Sequence, residues 1–354
     1  MTGRIVIMAG GTGGHVFPAL AVAEEMRERG WEVSWLGTSQ GLESRIVPAH
    51  QFDIDWLSVS GLRGKGFIFK VAALFNLMKA CLQARRILKT RKPNLVLGMG
   101  GFVAGPGGLM AKWLGIPLVI HEQNRVPGTT NRWLMKLAAN KVLEAFPGSF
   151  SPIANAVCTG NPLRQNFSSE IERDIWTTNS GRNLRVLIIG GSQGAKVLND
   201  IVPECLATFE NLDIQHQTGS AMQPEVVQRY QNLNLQAEVF AFIEDIEIAY
   251  RWADLIICRA GAMTVSEVSA CGLPAIFVPL LHAIDDHQTA NANYLVDAGA
   301  AIILPQPDLT PSNLRQALLQ VMTDLPNMSR AAKAMAKLNA TNCVAEICIE
   351  EAAA

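Results

Sequence analysis

The run Gly10-Gly11-Thr12-Gly13-Gly14-His15 carries four glycines broken only by Thr12, with an imidazole immediately after. A turn so free of side chains lets backbone N–H groups and the N-terminus of a following helix face an anion or a closely approaching sugar. A second turn, Gly190-Gly191-Ser192-Gln193-Gly194, repeats the pattern about halfway along the chain. Neither ends in Gly-Lys-Ser/Thr, so neither is a P-loop. In the first, Gly11 and Gly13 match a dinucleotide fingerprint but its third glycine is missing, and Leu36 is followed by Gly37-Thr38-Ser39 rather than by an acid for a ribose. Nicotinamide chemistry is therefore disfavoured. Either turn alone could equally be a tight strand-to-helix connection with nothing bound. Further polar clusters are His121-Glu122-Gln123-Asn124, the stretch Arg259 to Glu267, and a loop from His282 to Asn291 dense in His, Asp and Gln.

The elements that must hold these residues alternate. Arg4-Ile5-Val6-Ile7-Met8-Ala9 is apolar, short and bounded by glycine, which predicts a buried strand, and the helix after the turn begins near Val16. Strands follow at Glu32–Gly37, Phe52–Val59, Leu95–Gly98 and Pro117–His121, with helices at Glu43–Ala49 and Phe67–Thr90. The second half repeats the alternation with strands at Arg185–Ile189, Asp213–Gln217, Ala237–Phe242, Leu255–Cys258, Pro274–Val278 and Ala300–Leu304. Such βαβ order predicts an α/β protein of two Rossmann-like, doubly wound parallel sheets, and ligands gather at the carboxyl ends of such strands. The turn at Ala260-Gly261 places Thr264, Ser266 and Glu267 in a first helical turn. Residues 1–163 form one expected domain and 164–339 a second, with a polar stretch at Ser168–Asn183 around the boundary. The last helices, near Asn327–Leu338 and Cys343–Ala353, would return to brace the first domain, residues 340–354 packing back on it.

Composition narrows the function classes. At 354 residues with 49% hydrophobic and 17% charged, the chain can fill two ordinary cores. Its seven cysteines form no C-x-x-C and fit reduced, buried thiols; no secretory leader opens the sequence. The net charge of −1 hides opposite halves: residues 1–160 hold 18 Lys and Arg against 9 Asp and Glu, and the remainder 12 against 22. No acid occurs between Asp55 and Glu122, a span holding ten Lys and Arg, so this face expects an anionic partner. Within it, Phe67, Ile68, Phe69, Lys70, Leu74, Phe75 and Lys79 mix apolar bulk with cations. Lys70, Asn76 and Lys79 keep the segment short of the roughly 20 apolar residues a span requires. It is expected to lie on an anionic membrane surface, with packing against the sheet as the alternative. The basic residues cluster with Phe and Leu rather than with stacking aromatics, which argues against nucleic acid.

Taken together, Gly10–His15 with Val16-Phe17-Pro18, Gly98-Met99-Gly100-Gly101, His121-Glu122-Gln123-Asn124, Gly160-Asn161-Pro162-Leu163-Arg164, Gly190–Gly194 and Ala262-Met263-Thr264-Val265-Ser266-Glu267 closely resemble the MurG family. Its members are bacterial transferases that move N-acetylglucosamine from UDP-N-acetylglucosamine to lipid I, the undecaprenyl-diphosphate-linked acceptor, giving lipid II for peptidoglycan. The resemblance runs through nearly the whole chain in order. It implies a GT-B architecture of two Rossmann-like domains facing a cleft, the lipid acceptor on the first and the nucleotide on the second. It further implies a peripheral enzyme at the cytoplasmic face of the bacterial inner membrane, with cell-wall and division proteins as possible partners.

By the same resemblance Thr12, Gly13 and Gly14 line the donor site, Asn124 and Gln288 bind sugar hydroxyls, and Arg164 and Ser192 meet the diphosphate. Ile243 offers backbone groups to uracil, Glu267 takes the ribose hydroxyls, and Ala262, Met263, Thr264, Val265 and Ser266 complete its helix-turn signature. An inverting displacement needs a base for the attacking hydroxyl and fixed positive potential for the departing UDP. His15 is the candidate base, because a helix N-terminus favours its neutral form; a histidine that merely caps the turn is the alternative. Glu122 is the reserve. No metal or other cofactor is required, since backbone amides at Gly190–Gly194 and Arg164 can meet the diphosphate. Asp53-Ile54-Asp55 spells the triplet of metal-dependent transferases but falls inside an expected strand. Two other functions stay open at this point: a related transferase acting on another lipid such as a diacylglycerol, and a non-catalytic nucleotide-sugar binding module at the membrane.

Overall fold

The structure, a computed structural model, describes residues 3–59, 67–167, 175–178, 180–191, 193–281 and 286–354, and for 67–74 and 166 the backbone alone. Two compact units are found. The first comprises residues up to Gln165 together with Leu338–Ala354, and the second Asn166–Lys337.

In the first unit β1 (Arg4–Met8), α1 (Gly13–Glu28), β2 (Glu32–Gly37), α2 (Glu43–Ala49), β3 (Asp53–Trp56), α3 (Phe67–Arg91), β4 (Leu95–Gly98), α4 (Ala104–Trp113), β5 (Leu118–Glu122), α5 (Thr129–Leu137), β6 (Lys141–Glu144) and β7 (Val157–Cys158) follow in order. Among the described residues the sheet has seven strands, ordered β3-β2-β1-β4-β5-β6-β7, and every pairing is parallel. The alternation of β1 explains its two-sided burial. Ile5 and Ile7 join Val16, Leu20 and Met26 of α1, whereas Val6 and Met8 join Ala84 and Leu88 of α3 and Ala104 and Ala111 of α4. Sequence reading missed β6 and β7, which are four and two residues long.

The second unit runs β8 (Leu184–Ile189), α6 (Lys196–Leu206), β9 (Leu212–Gln217), α7 (Gln223–Asn232), β10 (Glu238–Phe240), α8 (Ile246–Trp252), β11 (Leu255–Cys258), α9 (Ala262–Ala270), β12 (Ala275–Phe277), α10 (His287–Val296), β13 (Ala301–Ile303) and α11 (Pro311–Ala334). Its six-stranded parallel sheet is ordered β10-β9-β8-β11-β12-β13. Helix α11 starts well before the expected Asn327 and ends at Ala334. Asp324 leaves helical geometry at φ −120° and ψ 16°, two residues before Pro326, which cannot donate within a helix.

The final helix α12 (Ala340–Ala353) belongs to the first unit. Its Val344, Ala345 and Cys348 are fully buried against the α1 side of that sheet, and Thr341 Oγ1 donates to the Leu163 carbonyl at 3.0 Å.

Strand order reverses once in each sheet, between β1 and β4 and between β8 and β11. At such a switch point neighbouring connections leave the sheet in opposite directions and open a crevice past the carboxyl ends of the strands. In both units the glycine turns sit there.

Candidate active site

In the first unit β1 delivers Gly10–Thr12 and β4 delivers Gly98–Gly101 to the same crevice, with Met8 paired to Gly98 across the ladder. Both loops have to be glycine. Gly101, at φ +84°, has no room for a Cβ because the Gly10 carbonyl is in the way. A Cβ on Gly100, at φ +103°, would lie 2.6 Å from His15 Cδ2, so the imidazole rests directly on that glycine. Helix α1 begins at Gly13, earlier than the expected Val16, with extended Thr12 as a cap whose side chain accepts no capping bond. His15 is thus the third helical residue. Pro18 has no N–H to give the Gly14 carbonyl, so the first turn keeps an acceptor without its helical donor.

The turn is held from behind by Glu43, a residue to which the sequence drew no attention. Its fully buried carboxylate accepts from Gly11 N–H at 2.9 Å through Oε2 and from Thr38 N–H and Oγ1 at 2.8 and 2.7 Å through Oε1. The nearest sequence signal was Gly41 two residues earlier, which has no space for a Cβ beside that carboxylate.

At the end of β5, Glu122 is buried and saturated. Asn124 N–H and Nδ2 donate to Oε1 at 3.0 and 3.2 Å, and Gly128 N–H and Asn131 Nδ2 donate to Oε2, both at 2.9 Å. Four donors hold this carboxylate in the work of shaping the 122–128 loop, which presents Asn124. Buried His121 lies 2.9 Å from the Gly160 carbonyl through Nε2 and 3.1 Å from Gln123 Nε2 through Nδ1. Burial pushes its pKa down to about 4, against the opposing pull of the Gly160 bond and Glu122. The neutral ring therefore donates to Gly160 and accepts from Gln123, which fixes the chain leading to Arg164. The Arg164 guanidinium lies over the Phe17 ring, 5.6 Å from its centroid.

In the second unit the turn after β8 is as crowded as the first. Gly194, at φ +75°, has its α-carbon against the Thr218 carbonyl, and Gly219, at φ +82°, lies against the Gln193 carbonyl. Gln217, at the end of β9, is a second residue that sequence reading missed. Its Nε2 donates to the Gly191 carbonyl and its Oε1 accepts from Ile243 N–H, both at 2.9 Å. One neutral amide thereby ties the glycine turn to the 243 loop. Ser192 lies outside the described residues.

Beside it, β11 delivers the turn at Ala260–Gly261 and helix α9. Gly261 is an extended cap with no side-chain capping bond. The helix begins at Ala262, which puts Met263, Thr264 and Val265 in the first turn. Ser266 and Glu267 fall in the second turn rather than the first, a correction to the expected position. Ser266 Oγ donates to the Ala262 carbonyl at 3.0 Å. Tyr250 of α8 donates to Glu267 Oε2 at 3.2 Å, and burial raises its phenol well above the usual range, with the Glu267 charge adding to the effect. Gln288 Oε1 accepts from Ala260 N–H at 3.3 Å and Leu280 N–H at 3.0 Å, which fixes the direction of its amide. Arg259 supports this wall by donating to the carbonyls of Val278 and Pro279 at 2.9 and 3.1 Å and to Gln306 Oε1 at 2.9 Å.

Asp53 and Asp55 lie on β3, and both are held by Arg91 at 2.8 and 2.7 Å. Among the described residues no cluster of His, Cys, Asp or Glu is arranged to hold a metal ion. Of the expected membrane residues, Phe75 and Lys79 are exposed on α3, whereas the side chains of Phe67, Ile68, Phe69, Lys70 and Leu74 lie outside the described residues.

Two doubly wound units, each with glycine turns collected at its switch point, make this a GT-B glycosyltransferase fold. Residues 5–143 match the glycosyltransferase family 28 N-terminal domain and 185–347 the glycosyltransferase family 28 C-terminal domain. A UDP-N-acetylglucosamine–N-acetylmuramyl-(pentapeptide) pyrophosphoryl-undecaprenol N-acetylglucosamine transferase from Methylococcus capsulatus is 61% identical over 100% of both chains. One of the same description from Shewanella frigidimarina is 49% identical over 98% of this chain and 96% of its own. The crystal structure of Acinetobacter baumannii MurG superposes with a TM-score of 0.84 at 42% identity, covering 98% of this chain and 99% of that one. The chain belongs to glycosyltransferase family 28, among the transferases of that description, as its resemblance to the MurG family implied.

Proposed function

We propose that this protein transfers N-acetylglucosamine from UDP-N-acetylglucosamine to the muramoyl sugar of lipid I with inversion, giving lipid II. The observation that carries the proposal is the 61% identity, end to end, with a transferase described by that reaction. The second unit takes the donor. Amides of the Gly190–Gly194 turn and the N-terminal end of α9 receive the diphosphate, Glu267 the ribose hydroxyls, the Ile243 carbonyl the uracil edge, and Gln288 the sugar. The first unit takes the acceptor. His15 removes the proton of the attacking hydroxyl as that oxygen bonds to the anomeric carbon and the bond to UDP breaks; the bonding pair leaves on the diphosphate, which departs with one more negative charge than it had in the donor, balanced by the proton on His15. Thr12, Gly13, Gly14 and Asn124 contribute to sugar contact, and Arg164 offers a cation to the phosphate-bearing substrates.

The acceptor is a lipid, and the surface of α3 suits one. Phe75, Met78 and Leu82 are 68, 55 and 64% exposed, whereas Ala80, Ala84 and Leu88 of the same helix are buried in the core. Trp113 of α4, 61% exposed, lies under the Arg85 guanidinium at 4.5 Å. No helix among the described residues is long and apolar enough to cross a membrane. Peripheral contact with an anionic surface, at the cytoplasmic face of the inner membrane, therefore accounts for apolar side chains standing among Lys79, Arg86 and Lys89.

Transfer of labelled N-acetylglucosamine from UDP-N-acetylglucosamine to lipid I, with a diacylglycerol as competing acceptor, tests the function. Label appearing only in the diacylglycerol would overturn it.

A further inference from the structure

The two glycine turns look alike in sequence but are polarised in opposite senses. At the first, a Gly11 N–H is consumed by the Glu43 carboxylate at 2.9 Å. At the second, it is the Gly191 carbonyl that is consumed, by the neutral Gln217 amide at 2.9 Å. A carboxylate behind the first turn lowers the positive potential there, whereas the neutral amide behind the second adds no charge.

Glu43 is an expensive residue to place so. It is 0% exposed, and among the described residues no Lys, Arg or His pairs with it. Burying a carboxylate without a cation is strongly unfavourable unless its lone pairs are filled. Here three donors, Gly11 N–H and the N–H and hydroxyl of Thr38, do the filling. The walls are closed as well: a Cβ on Gly10 would lie 2.5 Å from Oε1, one on Gly37 2.8 Å from Cγ, and Gly41 has no space beside the carboxylate. From Glu43 the contacts run through the Gly10–Gly11 backbone to Gly101, and through Gly100 to the His15 ring.

We infer that Glu43 is a positioning residue for the transfer: it clamps the first glycine turn from behind, sets the place of His15 against Gly100, and biases that turn toward a hydroxyl rather than a phosphate. The inference rests on the reading of His15 as base. Glu43→Gln keeps the shape but puts an NH2 opposite either Gly11 N–H or the Thr38 donors. It should lower kcat about tenfold or more, since small displacements of a reacting group carry large costs. The Kd for UDP, which lacks the sugar, should stay within about twofold, because the turn after β8 is untouched. In a His15→Gln background the same substitution should cost nothing further, as expected of residues acting as a unit. Unchanged kcat in Glu43→Gln, an equal fractional loss in both backgrounds, or UDP affinity falling in step with kcat would each overturn the inference. If Glu43→Gln does not fold, Thr38→Val, which removes one bond to Oε1, decides: a severalfold fall in kcat at constant Kd for UDP supports the clamp, and full activity overturns it. His15→Gln with undiminished turnover would instead remove the base assignment, a result separable from any of these.

Discussion

The Tyr250 hydroxyl donates to Glu267 Oε2 at 3.2 Å from a fully buried ring, so the carboxylate proposed for the ribose is aimed by a phenol that the sequence did not single out. Tyr250→Phe removes that donor while keeping the ring, which packs edge-on against Phe167 at 5.9 Å. One such bond is worth about 1 kcal/mol, so the Kd for UDP should rise roughly fivefold with kcat little changed. Titration calorimetry of UDP against both proteins checks it. Equal affinities would show that Glu267 does not depend on Tyr250.

The backbone contact between Gly194 and Thr218 predicts a stability effect. Gly194→Ala forces a Cβ against the Thr218 carbonyl at a φ of +75°, and neither backbone can yield cheaply. A cost of about 2–4 kcal/mol is expected. For a unit of this size the melting transition should fall by roughly 5–15 °C. Gly299→Ala, also at positive φ but with open space around it, should cost about 1 kcal/mol from conformation alone. Differential scanning fluorimetry of the pair separates contact from conformation.

Acid should loosen both units. Burial lowers His121 from 6.5 to about 4 and His216, beside Tyr230 at 3.0 Å, from 6.5 to about 3. Because the folded values lie below the unfolded one, the unfolded chain binds the extra protons. The contribution is fully present above pH 6.5 and is lost as pH falls toward the folded values. Between pH 7 and pH 5 each histidine accounts for about 2 kcal/mol. Urea midpoints at the two pH values should fall accordingly. His121→Gln and His216→Gln should each shrink the pH dependence, whatever they do to stability at neutral pH.

Membrane contact is open to direct measurement. Phe75→Ser with Leu82→Ser removes two exposed apolar side chains of α3 and should weaken partitioning onto anionic phospholipid vesicles about tenfold or more. Transfer to a short, water-soluble acceptor should survive. High salt should weaken binding of the parent protein; co-sedimentation reads both binding effects and a transfer assay the third. Unaltered vesicle binding by the double variant would move the contact elsewhere.

Much of this was legible in the residues. Glycine turns after apolar runs placed both switch-point crevices, because only glycine tolerates the approaches seen at Gly101 and Gly194. The tertiary partners were not legible. Glu43 opens a seven-residue helix, where an acid is unremarkable, and only the folded chain brings its carboxylate under Gly11. Gln217 ends a strand of alternating polarity, and Tyr250 sits in an ordinary short helix. Glu122 illustrates the converse. Its place at a strand end suggested reactivity, but four donors arriving from three later residues make it an organiser of the loop. Short strands such as β7, two residues long, lack the length for a periodic signal at all.

The placement of α12 carries a consequence for biosynthesis. The ribosome makes the whole second unit before it makes the helix that packs on α1 and on β4 of the first. While the nascent chain is still emerging, the earlier-made sheet must keep that apolar face wet or borrow a temporary cover, so a trigger-factor-like holdase and slow, late consolidation of the amino-terminal half are to be expected during translation.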